Sequence, residues 1–296
     1  MKLKLISCEV FYREMCATVA RSRNRVDVEF LPKGLHDLPS VEMRRRLQDS
    51  IDRVDPSEYD AVVLGYGLCN NGLHHVEARG IPLVLPRAHD CMTLFMGSCQ
   101  RYCQYFNDNP GVYFLTSGWV ERGEVTGELK QLSIGHMLGM DMSYNDLVDQ
   151  YGEDNAQYLY ETLGNSERHY HQITFIEMGI EPDDRFERES EHRAAQRGWK
   201  YQRLKGDLSM IQRLIDGLWH DAEFLVIQPG HRVSATYDKV IVASESLTPD
   251  SASNPPRHPA SKPSDARLPG ERTFKYVRVS GTSVAGYTGV SSSRAA

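Results

Sequence analysis

Residues 59–69 read YDAVVLGYGLC. The apolar run AVVL at 61–64 has the length of a buried strand. It ends in Gly65-Tyr66-Gly67 and then a cysteine instead of a charged loop. An apolar run bounded by glycine is the pattern of a central strand in a parallel sheet, where both faces are covered and polar alternation is lost. Similar runs lie on either side, at 3–7, 26–31, 81–85 and 112–115, and between them fall amphipathic stretches at 12–22, 40–54 and 91–107. In the second stretch Ser40 is a candidate N-cap, with Met43, Leu47 and Ile51 spaced by four on one face. A second round of alternation predicts helices at 145–163, 188–197 and 209–219, with extended segments at 173–178, 201–204 and 224–227. Strand and helix in turn predict an α/β fold of two Rossmann-like lobes with mainly parallel sheets. The N-terminal lobe, 1–115, carries the cysteines, and the second lobe is 116–246. Residues 247–296 are rich in Pro, Ser, Asn and Arg, and are expected to form a disordered tail.

Composition narrows the function classes. The chain has 296 residues, 40% hydrophobic and 25% charged, as in soluble globular proteins. No apolar run approaches the roughly 20 residues of a membrane span. The opening MKLKLISCEVFYRE lacks the features of a signal peptide, so a cytoplasmic location is expected. The net charge of −6 is spread along the chain, and Arg44, Arg45 and Arg46 stand among acids, which argues against nucleic acid as partner. In a reducing compartment the six cysteines are expected to be thiols or ligands.

Cys8 ends the first apolar run, Cys69 follows the third, and Cys91 follows the fourth. In a parallel sheet the carboxyl ends of the strands share one edge, where ligands bind. Any one of these cysteines alone reads as a packing residue. Three arriving from separate strands point to a thiolate metal site or a reactive thiol. Three thiolates can hold zinc with a fourth position open, or three corners of an iron-sulfur cluster. Gly65, Tyr66 and Gly67 predict a backbone pocket for an anion or small polar ligand, although the third glycine of a dinucleotide fingerprint and the lysine of a P-loop are missing. His89 and Asp90 are candidates for proton transfer or for orienting a thiolate, with Asp90 also an N-cap; Arg87 reads as a solvated loop residue. Cys16, Cys99 and Cys103 read as packing residues. His169, His171, Glu177 and His231 are weaker candidates in the second lobe.

The segments ISCEVFYRE (6–14), YDAVVLGYGLCNNGL (59–73), PLVLPRAHDCMTLFMGSCQRY (82–102) and GVYFLTSGWVE (111–121) together resemble the domain-of-unknown-function family numbered 1638, a similarity that reaches to about residue 245. Within it the family pattern falls on Cys8, Glu9, Gly65, Tyr66, Gly67, Cys69, Asp90, Cys91, Gly97, Tyr102, Gly111, Tyr113 and Trp119. Relatives are similar to proteins found in anaerobes and methanogens beside corrinoid-dependent methyltransferase systems, which implies a part in one-carbon metabolism. The first expectation is therefore an enzyme with a zinc or iron-sulfur site at Cys8, Cys69 and Cys91. It would transfer a group to or from a small molecule, with a corrinoid or methyltransferase as partner. A non-enzymatic carrier of metal, corrinoid or cluster, and a metal-free cysteine nucleophile, are the alternatives.

Overall fold

A computed structural model of the chain describes residues 1–247 apart from 124, 138–142, 154, 158–168 and 237. The expected disordered tail therefore lies outside the described residues, except for position 247, as does much of the expected helix at 145–163. Apolar run and strand coincide closely. Strand β1 (Lys2–Cys8) leads through a 3-10 turn (Glu9–Phe11) into α1 (Tyr12–Val19). Strand β2 (Arg25–Leu31) is followed by a second 3-10 turn (Lys33–Asp37) and α2 (Ser40–Asp52). Strands β3 (Ala61–Gly65) and β4 (Leu83–Pro86) are buried along their whole length, as their lack of polar alternation requires.

The amphipathic stretch expected at 91–107 is two helices, α3 (Cys91–Met96) and α4 (Cys99–Asp108). Gly97 adopts φ +76 and ends the first, and the Ser98 side chain caps the second. Ser40 is likewise one residue inside α2, which starts from Pro39 without a side-chain cap. Then come β5 (Val112–Thr116), four short helices α5 (Ser117–Glu121), α6 (Gly127–Gln131), α7 (Ile134–Met137) and α8 (Tyr144–Tyr151), and β6 (Gln172–Glu177). Helix α9 (Arg185–Arg197), β7 (Lys200–Lys205), α10 (Ser209–Asp216) and strands β8 (Phe224–Ile227), β9 (His231–Ala235) and β10 (Val242–Ser246) complete the described fold.

The architecture is α/β with mainly parallel sheets. One sheet has the order β2-β1-β3-β4-β8, parallel except for β8, which runs antiparallel to β4. The other, β5-β6-β7, is wholly parallel, and β9 and β10 form an antiparallel hairpin. Chain order does not decide membership: β5 follows the first-sheet strands yet pairs with β6, while β8 returns from the second round to close the first sheet. Both sheets belong to one compact unit, Met1–Asp250. In the first sheet β1 lies between β2 and β3, so connections leave β1 and β3 in opposite directions and open a crevice at their carboxyl ends. Cys8 stands at that point, beside Leu31 of β2, and the loop after β3 begins one residue past the Ser7–Gly65 pair.

Candidate functional site

The cysteine loops are zipped together by backbone. The amide of Leu68 donates to the Ala88 carbonyl at 2.7 Å and that of Cys69 to the His89 carbonyl at 3.0 Å, so the turn after β3 lies against the turn after β4. Gly67 makes this approach possible: a Cβ there would stand 2.6 Å from the carbonyl carbon of Asp90. Next, Cys69, Asn70 and Asn71 all take left-handed conformations, with φ of 37, 52 and 58. Such conformations cost free energy in non-glycine residues, and consecutive examples persist only where the surroundings enforce them. The strained turn holds Cys69 against Cys91, the first residue of α3.

From the other side α5 lies directly on the turn after Cys8, with Gly118 against the Val10 carbonyl. This contact brings Trp119 to the cysteines.

Cys8, Cys69 and Cys91 all line one cavity of about 650 Å³. Its other walls are aromatic and apolar, with Phe11, Met92, Phe106, Tyr113 and Phe114 among them. Burial pushes the Cys8 thiol up to about 12, and charge on Cys69 and Glu9 adds to the rise while the Val10 backbone and Lys33 oppose it. Burial also pushes Cys69 up to about 12, helped by the Asp90 carboxylate and opposed by the backbone at Gly67 and Cys91. Cys91 is driven well above its ordinary value by burial and then by Cys69, Asp90 and Cys8; Trp119 alone favours its thiolate.

Asp90 caps α3 through Met92 N (2.9 Å) and accepts the Tyr102 hydroxyl at 2.6 Å, and both side chains line the cavity. Tyr66 also lines it, whereas Gly65 and Gly67 shape the backbone behind it. His89 is exposed and does not line it.

The remaining candidates separate from this group. Cys16 and Cys103 are exposed, so they do not pack in the core; only Cys99 is part-buried, donating to the Arg87 carbonyl. Arg87 is more than a solvated loop residue, because its guanidinium donates to the carbonyls of Asp221, Val240 and Val242 and ties those segments together. His169 lines the cavity, while His171, Glu177 and His231 do not.

Lys33 is a site residue that the sequence reading passed over. It follows β2 at the same carboxyl edge as Cys8, a position that argument from the strand ends would have found.

Among the described residues no group of three or more His, Cys, Asp or Glu side chains stands in a metal-holding arrangement. No described helix is long and apolar enough to cross a membrane. No curated protein and no solved structure matches the chain. Residues 30–215, which include Lys33, Tyr66, Cys69, Asp90, Cys91 and Trp119 and follow Cys8, match the family model described as protein of unknown function (DUF1638), and the chain belongs to that family.

Proposed function

We propose that the cavity is the thiolate metal site of an enzyme that transfers a group to or from a small molecule, with Cys8, Cys69 and Cys91 as ligands. The observation that carries this reading is that three cysteines, from the end of β1, the turn after β3 and the start of α3, line one cavity at the crevice of the parallel sheet. The chemistry of the donor set suits zinc or an iron-sulfur cluster, since all three are soft sulfur donors, Cys8 and Cys91 buried and Cys69 half-buried, and the three would have to draw together around the metal. A metal bound there would stabilise the thiolates and supply an open coordination position for a nucleophile or substrate. Asp90, oriented by Tyr102 and Met92 N, is the cavity carboxylate placed to accept or return a proton.

Burial weighs against a metal-free nucleophile. A thiol raised to about 12 is ionised only to roughly one part in 10⁵ at neutral pH, and thiolate is the reactive form. The family resemblance supports one-carbon chemistry as the setting. A cavity of about 650 Å³ suits a drug-sized molecule. A whole corrinoid exceeds it, so a corrinoid partner would meet the site at its mouth.

Anaerobic purification with elemental analysis and an absorption spectrum tests the reading. Cys8→Ser, Cys69→Ser and Cys91→Ser are each expected to lower bound metal, while Cys16→Ser, Cys99→Ser and Cys103→Ser retain it. Equal metal in all six variants, or none in wild-type protein prepared without oxygen, overturns it. Release of metal to an apo-partner without turnover would favour the carrier reading instead.

A further inference from the structure

The cavity beside the cysteines carries a hydrogen-bonding group that the protein leaves unused. The Tyr66 hydroxyl is buried and has no hydrogen-bond partner, the Trp119 Nε1 has none but the Cys91 sulfur, and both residues line the cavity. Tyr66 as a whole is only 2% exposed. A buried polar group without a partner is costly, so the Tyr66 hydroxyl calls for an occupant.

Lys33 adds an unbalanced charge. It is 8% exposed, and its ammonium donates to the carbonyls of Trp119 and Gly123. Among the described residues it forms no ion pair; Glu9 and Asp37 act on it only from a distance. The cavity's own carboxylate is already engaged, since Asp90 accepts from Met92 N and Tyr102.

An ammonium can only donate. An occupant that satisfies it presents acceptor oxygens, and a negative charge offsets Lys33. Charged groups of both signs continue beyond this cavity. Lys33, Trp119, His36 and Tyr113 line a second cavity of about 620 Å³ as well, whose wall includes Arg193 and Arg197 together with Asp37 and with Glu189, which pairs with Arg193 at 2.8 Å.

We propose that the cavity binds a small organic anion, a carboxylate or phosphate ester. Its charged end accepts from Tyr66 and Lys33, and its apolar body packs on Phe11, Phe106 and Phe114. The proposal deepens the preceding reading by naming the substrate class of the same cavity, but it rests on different atoms.

Phenylacetate and phenyl phosphate are compared with benzyl alcohol by calorimetric titration of the full chain, in metal-loaded and metal-free forms. At least one anion is expected to bind about tenfold or more tightly than the alcohol in both forms, and the order of the two anions identifies the head group. Tyr66→Phe, which keeps the ring, should weaken the anion about fivefold and leave the alcohol unchanged. Lys33→Gln should abolish the preference for charge. Equal binding of anion and alcohol by wild type, a preference that survives Lys33→Gln, or no binding of either anion in the millimolar range overturns the proposal. Anion preference in a protein that never holds metal would sink the metal reading alone, and metal without anion preference would sink this one alone.

Discussion

The two parallel sheets of this protein differ in how they are buried, and the site draws on each for a different purpose. In the first sheet β3 and β4 are buried throughout, and the apolar residues of β1, α1, α2 and α10 join them in one large core. In the second sheet β7 is exposed except for half-buried Tyr201 and Leu204, and the separate core is small, built on Leu115, Ile173, Phe175, Phe186 and Ala194. The fully packed sheet fixes the strand ends from which the three cysteines come. The lighter sheet supplies part of the aromatic wall, with Tyr113 and Phe114 on β5. Trp119 packs against both cores and is the side chain through which the two halves of the site meet.

Truncation at matched positions gives the largest expected contrast. Leu64 is fully buried in β3, and Leu64→Ala should cost about 2–5 kcal/mol through lost burial and the cavity left behind. Leu204 in β7 is half-buried and packs on the margin of the large core, and Leu204→Ala should cost about 1 kcal/mol. Urea titration of both variants measures the difference. Equal losses would mean that the half-buried margin of the large core contributes as much as its fully buried centre.

An ionisable group sharpens the same comparison, because the dense side of the molecule holds an acid with no partner. Glu14 is completely buried in α1, neither carboxylate oxygen has a hydrogen-bond partner, and burial raises its pKa to about 8. The folded state therefore keeps a proton that the unfolded chain loses near its ordinary value of 4.5. The resulting stability is fully present below that value and is lost as pH rises through about 8. Glu14→Gln should remove this slope and be more stable than wild type at pH above about 8, by about 1–4 kcal/mol. Denaturant titrations from mildly acidic to alkaline pH decide it; an unchanged slope would place the titrating group elsewhere.

Much of this was legible in the chain because central parallel strands and carboxyl-edge loops leave strong local marks. The runs around residues 61–64 and 83–85 are apolar without alternation, and each is followed by the loop that carries its cysteine. The burial of Glu14 was not read from the chain, although Phe11, Glu14, Met15 and Thr18 share one helical face and all are buried, because a carboxylate marks a solvent face by default. Nor was strand membership. The sequences of β5 and β8 are equally apolar, and nothing local tells β5 to pair with β6 or β8 to return antiparallel to β4. The β9–β10 hairpin was missed because its strands are only partly buried and carry little apolar alternation. The approach of Trp119 to Cys91 depends on how α5 packs on the turn after Cys8, a contact between segments more than 100 residues apart that no spacing rule expresses.

The smallest effect is expected where the second sheet depends on charge. Arg203 on β7 lies 3.8 Å from Glu177 and 3.4 Å from Glu187, and its side chain is 55% exposed. Water screens ion pairs of this kind, and holding the long side chains in one geometry costs conformational entropy that offsets most of the attraction. Arg203→Ala should therefore change stability by no more than about 0.5 kcal/mol, and the difference should vanish at high salt. Urea titration at low and high ionic strength measures both quantities. A loss well above 1 kcal/mol that persists in salt would require the aliphatic stem of Arg203 to cover apolar surface on the sheet. The contrast in burial between the two sheets would then be smaller than their exposure patterns indicate, because a charged side chain would be supplying cover that the second sheet's small apolar core lacks.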